Sequence, residues 1–106
     1  MNPEPFPNLD RVIHEKARLA IVSALSATPS LSFTDLRNLL GMTDGNLTSH
    51  LRILQEAQVV ALTKSSGDTR PQTTCTLTDS GRRAFTEYLG HLEQIVSQYR
   101  KPAPGT

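Results

Sequence analysis

A polar face on one predicted helix carries the side chains of this chain that are best suited to bind another molecule. The run TDLRNLLGMTDGNLTSHLRILQEA, residues 34–57, predicts two short helices with Gly41 at the turn between them. At about 100° per residue, one side of the second helix is an apolar stripe made of Leu47, Leu51 and Leu54. The opposite side is polar and presents Asn46, Ser49 and Arg52.

The chemistry of that polar face suits hydrogen bonding to base edges in the major groove of DNA. An arginine can pair with guanine and an asparagine with adenine, each through two hydrogen bonds. Asp44, in the first turn, favours the helix dipole or accepts a hydrogen bond from a cytosine amino group. We therefore expect a DNA-binding set from the start and the polar side of the helix: Thr43, Asp44, Asn46, Thr48, Ser49, His50 and Arg52. The alternative is an ordinary solvated helix face.

Two longer helices flank this helix pair. Apolar residues recur at helical spacing over residues 10–27 and again over residues 79–100, so both segments are expected to be helical. Ser32, Thr43 and Thr78 each precede a predicted helix and are suited to cap it.

A β-hairpin is predicted between the second short helix and the last long one. Residues 59–64 and 72–77 have the composition of strands, and the segment 31–33 is too short to stand alone but can pair with them. The order α-β-α-α-β-β-α indicates a winged helix-turn-helix, a mainly α fold with a small β-hairpin wing (α+β). The domain is expected over residues 9–100, with an irregular arm at 1–8 and a flexible tail at 101–106.

The hairpin loop offers a second cationic contact to nucleic acid. Lys64 stands at its base and Arg70 near its tip, where a wing can lie along the DNA backbone or in the minor groove. Arg82 and Arg83 open the last helix and are further candidates for phosphate contacts. The alternative is a plain surface hairpin with solvated arginines.

Bulk composition fits one small domain without a strong charge signal. The chain has 106 residues, of which 37% are hydrophobic, and a net charge of +1, so any DNA affinity must come from local placement of basic residues. The single cysteine, Cys75, excludes an internal disulfide and fits a reducing cytoplasm. The N-terminus lacks the basic start and apolar run of a signal peptide.

The remaining polar residues offer no comparable chemistry. The three histidines, His14, His50 and His91, are widely separated and Cys75 has no nearby partner, so metal sensing is disfavoured and no cofactor is expected. Cys75 is interpreted as a packed strand residue rather than a redox switch. No cluster of titratable groups can be assigned acid, base and nucleophile roles, which argues against an enzyme.

The first and last helices carry more apolar surface than a domain with so few elements can hide. Pairing them across a two-fold axis would bury the surplus; the alternative is intramolecular packing alone. The expected dimer interface consists of Val12, Ile13, Phe85, Leu89, Leu92 and Val96. A two-fold axis would place two recognition helices about one DNA turn apart, matching a palindromic operator.

Several motifs together resemble a known family. The run SFTDL at 32–36, LGMTDGNL at 40–47 with His50-Leu51, Arg70-Pro71, and LTDSGR at 77–82 are similar to short, single-domain winged-helix transcriptional regulators related to the MarR and ArsR groups. The resemblance covers roughly residues 9–95. The sequence departs from it at Gln58-Val59-Val60, where such regulators usually have a glycine, and no metal-ligand pattern of the ArsR group carries over.

The resemblance implies a homodimeric bacterial or archaeal transcription regulator. In that arrangement residues 46–52 enter the major groove of double-stranded DNA and Arg70 lies on the wing. The architecture also leaves room for a small-molecule effector between the helix-turn-helix and the dimer helices, whose chemistry the sequence does not specify. The alternative function is a winged-helix module that binds protein rather than specific DNA, as the near-neutral charge and the acidic residues Asp44, Glu56 and Asp68 would allow.

Overall fold

Four helices and three short strands follow one another in the predicted order. The computed structural model describes residues 9–65 and 71–100. Its elements are α1 (Lys16–Ala27), β1 (Ser30–Ser32), α2 (Phe33–Leu40), α3 (Asp44–Glu56), β2 (Val60–Ser65), β3 (Gln72–Leu77) and α4 (Asp79–Tyr99). The predicted winged helix-turn-helix of the α+β class is therefore confirmed. The predicted arm at 1–8, the tail at 101–106 and the wing residue Arg70 lie outside the described residues.

The three strands form one antiparallel sheet with β3 in the centre. Strand β3 pairs with β2 from Val60↔Leu77 to Ser65↔Gln72, and with β1 through Leu31↔Cys75. The segment at 31–33 does pair with the hairpin, as predicted, although the strand covers Ser30–Ser32 and Phe33 already begins α2. The sheet thus ties the start of the helix-turn-helix to the hairpin that follows it.

The first helix begins later than the sequence indicates. Its predicted start at Asp10 is wrong, because the Asp10 carboxylate accepts the backbone N–H groups of Val12 and Ile13 at 2.8 and 3.1 Å and holds a separate turn. Glu15 then adopts an extended conformation and caps α1 by accepting the N–H of Arg18 at 2.8 Å. Such side-chain bonds compete with a continuous helix, so α1 starts at Lys16.

The other helix ends follow the predicted capping residues. Ser32, Thr43 and Thr78 accept the N–H groups of Asp35, Asn46 and Gly81 at 3.0, 3.1 and 2.8 Å respectively. Between α2 and α3, Gly41 has the left-handed φ of 66° that closes a helix and is easiest for glycine. These local signals set the tight turn of the helix-turn-helix.

The core is apolar and anchors α3. The predicted leucine stripe of Leu47, Leu51 and Leu54 is buried, as is Leu36 of α2. These side chains join a cluster that also includes residues of α1, the sheet and α4, among them Ile21, Val22, Leu25, Cys75, Phe85 and Tyr88. Each buried leucine contributes about 1.5–3 kcal/mol of transfer free energy, so the stripe fixes which side of α3 faces outward. No helix in the described ranges is long and apolar enough to cross a membrane.

The junction between α3, β2 and α4 is held by backbone oxygens. Gln58 has a φ of 62°, the left-handed region in which glycine is favoured, at the place where the resembled regulators usually have glycine. Its carbonyl accepts the hydroxyls of Thr78 and Ser80 at 2.5 and 2.8 Å. The first turn of α4 lies so close that a Cβ on Gly81 would overlap the carbonyl oxygen of Val59. This junction fixes α4 relative to the helix-turn-helix.

Two glycines of α4 give opposite expectations for substitution by alanine. Gly81→Ala should lower the free energy of unfolding by about 2 kcal/mol because backbone would have to move. Gly90→Ala is the control on the same helix: its Cβ would meet open space, and alanine should raise the free energy of unfolding by up to about 1 kcal/mol. Urea denaturation measures both, and equal effects would contradict the close approach at Gly81.

A glycine at position 58 should relieve the strained backbone. Gln58→Gly is expected to raise the free energy of unfolding by about 0.5–1 kcal/mol, since an L side chain in the left-handed region costs more than the chain entropy that glycine adds. Gln58→Ala keeps a Cβ and should give no such gain. If the two variants unfold at the same denaturant concentration, the positive φ is not a stability cost.

Candidate nucleic-acid interface

One face of α3 is exposed along its whole length, and all but one of its side chains are polar. The apolar one is Ile53. The residues on that face are solvent-exposed from the first turn to the fourth: Asp44, Gly45, Asn46, Thr48, Ser49, Arg52, Ile53 and Glu56. Within the described part of the chain, the side chains of Asn46, Ser49 and Arg52 make no hydrogen bond or ion pair to another residue. The amide, the hydroxyl and the guanidinium thus keep their donors and acceptors for an outside partner.

Thr43 and Lys64 have different surroundings from that face. The Thr43 hydroxyl oxygen caps α3, so its main role is to begin the helix. Lys64 lies exposed on β2, paired in register with Thr73 of β3, where the hairpin leaves the body of the domain. The wing prediction for Lys64 stays a prediction, as does the one for Arg70, which lies outside the described residues.

His50 is turned toward α1 and away from the exposed face. Its Nδ1 lies 3.3 Å from Nη1 of Arg18 and 3.7 Å from Oε1 of Glu15, and its side chain is 24% exposed. Arg18 in turn donates from Nε to the carbonyl of Val12 at 2.6 Å. His50 was predicted to contact DNA, but the structure places it in a polar contact that joins α3 to the start of α1.

The carboxylate of Glu15 is stabilised by the same cluster. Its pKa is lowered, chiefly because it accepts the backbone N–H of Arg18; desolvation by burial opposes this shift, and the neighbouring His50 and Arg18 add smaller lowering contributions. Sequence reasoning missed this cluster, because 32 residues separate Arg18 from His50 and no periodic pattern links them. Together with the buried leucine stripe, this cluster helps to fix the orientation of α3.

A second polar contact, also missed from the sequence, joins α2 to the first residue of α3. Nη1 of Arg37 lies 2.7 Å from Oδ1 of Asp44. Nε and Nη2 of Arg37 both donate to Oδ1 of the neighbouring Asn38, at 3.3 and 3.1 Å. The Arg37 side chain is 32% exposed and that of Asp44 is 70% exposed. An ion pair with this much solvent access contributes only about 0–1 kcal/mol to stability.

The residues predicted for the dimer interface divide into two groups. Ile13 and Phe85 are 0% and 8% exposed and belong to the core of the single chain, so their assignment to an open surface is wrong. They are covered by their own chain because α4 packs on the turn before α1, where Nδ1 of His14 lies 2.8 Å from the Tyr88 hydroxyl. Val12 and Leu92 are half-buried, whereas Leu89 and Val96 are 46% and 44% exposed.

An apolar ridge remains on α4. Leu89, Leu92, Val96 and Tyr99 are spaced by three, four and three residues and so lie along one side of the helix. Tyr99, at 69% exposed, extends the ridge beyond the residues predicted for the dimer interface. We call these four residues the α4 ridge.

Cys75 is enclosed in the sheet. It is fully buried at the centre of β3, and burial raises the pKa of its thiol. A buried thiol with a raised pKa is a poor nucleophile, in agreement with its prediction as a packed strand residue. No group of three or more His, Cys, Asp or Glu residues able to hold a metal ion occurs in the ranges 9–65 and 71–100.

Comparison with known families agrees with this geometry. Residues 17–96 match the family described as winged helix DNA-binding domain. The chain is also 32% identical over 85 residues to an uncharacterized protein of Methanocaldococcus jannaschii, a match that covers 80% of this chain and 92% of that protein. The family match spans the exposed face of α3 and the α4 ridge as far as Val96.

Solved structures share the same fold. A transcriptional regulator homologue from Pyrococcus horikoshii is 27% identical and superposes with a TM-score of 0.82, over 87% of this chain and 91% of that one. The transcriptional repressor CouR, solved bound to a 23-mer DNA duplex, is 20% identical with a TM-score of 0.67 over 89% of this chain and 72% of that one, which shows the fold alone. The match is to regulators and not to enzymes. The chain belongs to the winged helix DNA-binding domain family and is a DNA-binding transcriptional regulator.

Proposed function

We propose that the chain acts in the cytoplasm as a homodimer that recognises a palindromic operator through α3. The observation that carries this proposal is the exposed face of α3, on which the side chains of Asn46, Ser49 and Arg52 make no hydrogen bond or ion pair among the described residues. In a helix-turn-helix the second helix enters the major groove, and its exposed side chains reach base edges. An arginine and an asparagine on that helix can distinguish guanine and adenine from the other bases.

The distribution of charge supports selectivity through contacts rather than through overall attraction. The chain has 11 basic and 10 acidic side chains, so long-range attraction to phosphates is weak. The exposed basic side chains nevertheless include Arg52 on α3, Lys64 on β2, and Arg82 and Arg83 in the first turns of α4. A few phosphate contacts would then set the register in which α3 reads bases.

The α4 ridge supports the homodimer. Leucine and valine at three- and four-residue spacing match the seam along which two helices pack, and Leu89, Val96 and Tyr99 of the ridge are exposed on the single chain. A second copy presents the same ridge, so a two-fold contact buries the apolar ridges of both chains against each other. Such a dimer would carry two α3 helices on related faces, as an inverted repeat in DNA requires.

Substitutions on the exposed face should weaken recognition of a DNA duplex recovered by selection from random sequence. Arg52→Ala and Asn46→Ala are each expected to raise the Kd by about tenfold or more, because one bidentate base contact is worth about 1–3 kcal/mol. Gln55→Ala is the matched control, since Gln55 is exposed on the same helix but lies toward its flank. Fluorescence anisotropy at fixed salt measures all three, and circular dichroism checks that α3 is intact.

The alternative function predicts a different pattern. A winged-helix module that binds protein would select no sequence from random DNA, and its weak DNA binding would be the same for the Arg52, Asn46 and Gln55 variants. That outcome would contradict the proposed reading face.

A charge placed on the α4 ridge should separate the dimer. Leu89→Glu is expected to shift the sedimenting species from dimer to monomer, because two carboxylates would face each other across the two-fold axis in place of apolar contact. Gln94→Glu adds the same charge to the exposed polar side of α4 and should leave the dimer intact. Analytical ultracentrifugation of both variants is the measurement. A monomeric wild type, or dissociation by both changes, would rule out the ridge as the interface.

A further inference from the structure

The Arg37–Asp44 ion pair joins the two helices of the helix-turn-helix. Arg37 is on α2, the helix that crosses the DNA backbone in this motif, and Asp44 is the first residue of α3, the helix that enters the groove. The pair joins Nη1 to Oδ1 at 2.7 Å. The sequence predicted that Asp44 favours the helix dipole or contacts a cytosine, and it predicted no role for Arg37, so neither prediction accounts for the pair.

The guanidinium of Arg37 is held in one orientation but keeps N–H groups that have no partner among the described residues. It makes one contact to Asp44 and two to Oδ1 of Asn38. A guanidinium has five N–H groups, so two of them have no partner among the described residues. The side chain is held in place by two neighbours and still has one-third of its surface exposed. It is therefore positioned to accept an additional anionic partner.

The turn does not depend on this ion pair for its shape. Leu36 and Leu47, which flank it on α2 and α3, are both completely buried. The Thr43 cap and the left-handed Gly41 already define the turn between the helices. A solvent-accessible pair added to a turn that is already fixed can exchange partners without loss of the fold.

We propose that Arg37 binds a backbone phosphate of the operator and that Asp44 holds it ready and limits binding to other sequences. The inference rests on the proposed reading role of α3. When Asn46, Ser49 and Arg52 match their bases, α3 lies fully in the groove. A phosphate beside the α2–α3 turn then replaces the Asp44 carboxylate as the partner of the Arg37 guanidinium. On an unmatched duplex α3 is not seated, and Arg37 stays paired with Asp44.

This exchange predicts opposite effects for the two members of one ion pair. Arg37→Ala should weaken binding to the selected operator about tenfold and lower the slope of log Kd against log salt by about one. Asp44→Asn should tighten binding to a scrambled duplex of the same composition severalfold and tighten operator binding less, so the selectivity ratio falls. The double variant should resemble Arg37→Ala on both duplexes. Glu93→Gln, which removes one negative charge from the exposed side of α4, should change neither ratio nor slope.

The experiment is fluorescence anisotropy with both duplexes over a range of salt, beside thermal unfolding of each variant. Melting temperatures within a few degrees of wild type are expected for both exposed positions. If the two single substitutions weaken operator binding alike and lower the melting temperature alike, the pair is a structural brace and the proposal is overturned. An unchanged salt slope in Arg37→Ala overturns it as well. Wild-type protein that does not distinguish the duplexes would instead refute the proposed function, and this inference with it.

Discussion

The burial of Leu47, Leu51 and Leu54 is the constraint on which the rest of this structure depends. Because these three side chains occupy one side of α3 and are enclosed by α1, α2 and the sheet, the opposite side must face solvent. Rotating the helix to present any other face would expose the leucines to water, at about 1.5–3 kcal/mol for each. The choice of the face of α3 that is exposed is thus a direct consequence of core packing.

Polar contacts between distant parts of the chain then fix how α3 is held. The Glu15–Arg18–His50 cluster joins its middle to the start of α1, and the Thr43 cap with the left-handed Gly41 fixes its beginning. At its far end, Gln58 and Val59 connect through backbone oxygens to Thr78, where α4 begins. The helix that faces outward is therefore supported at its beginning, middle and end, as a rigid reading surface requires.

The sequence predicts the features of this molecule that local chemistry determines. The caps at Ser32, Thr43 and Thr78, the turn at Gly41 and the leucine stripe are encoded within a few neighbouring residues, and the structure confirms them. The predicted start of α1 is wrong because the Asp10 and Glu15 side chains accept hydrogen bonds from nearby backbone N–H groups, and apolar periodicity does not reveal such bonds. Local sequence could not predict the contacts of His50 and Arg37 or the burial of Ile13. These depend on contacts between elements, whose geometry is known only once the chain has folded.

The central claim is that a two-fold pair of α3 helices reads DNA sequence. Selection of binding sites from a random duplex library with the wild-type chain tests it most directly. The account predicts enrichment of an inverted repeat whose half-site centres lie about one turn of DNA, roughly 10 base pairs, or a multiple of it apart. Recovery of sequences with no common motif, or of a motif without two-fold symmetry, would contradict it.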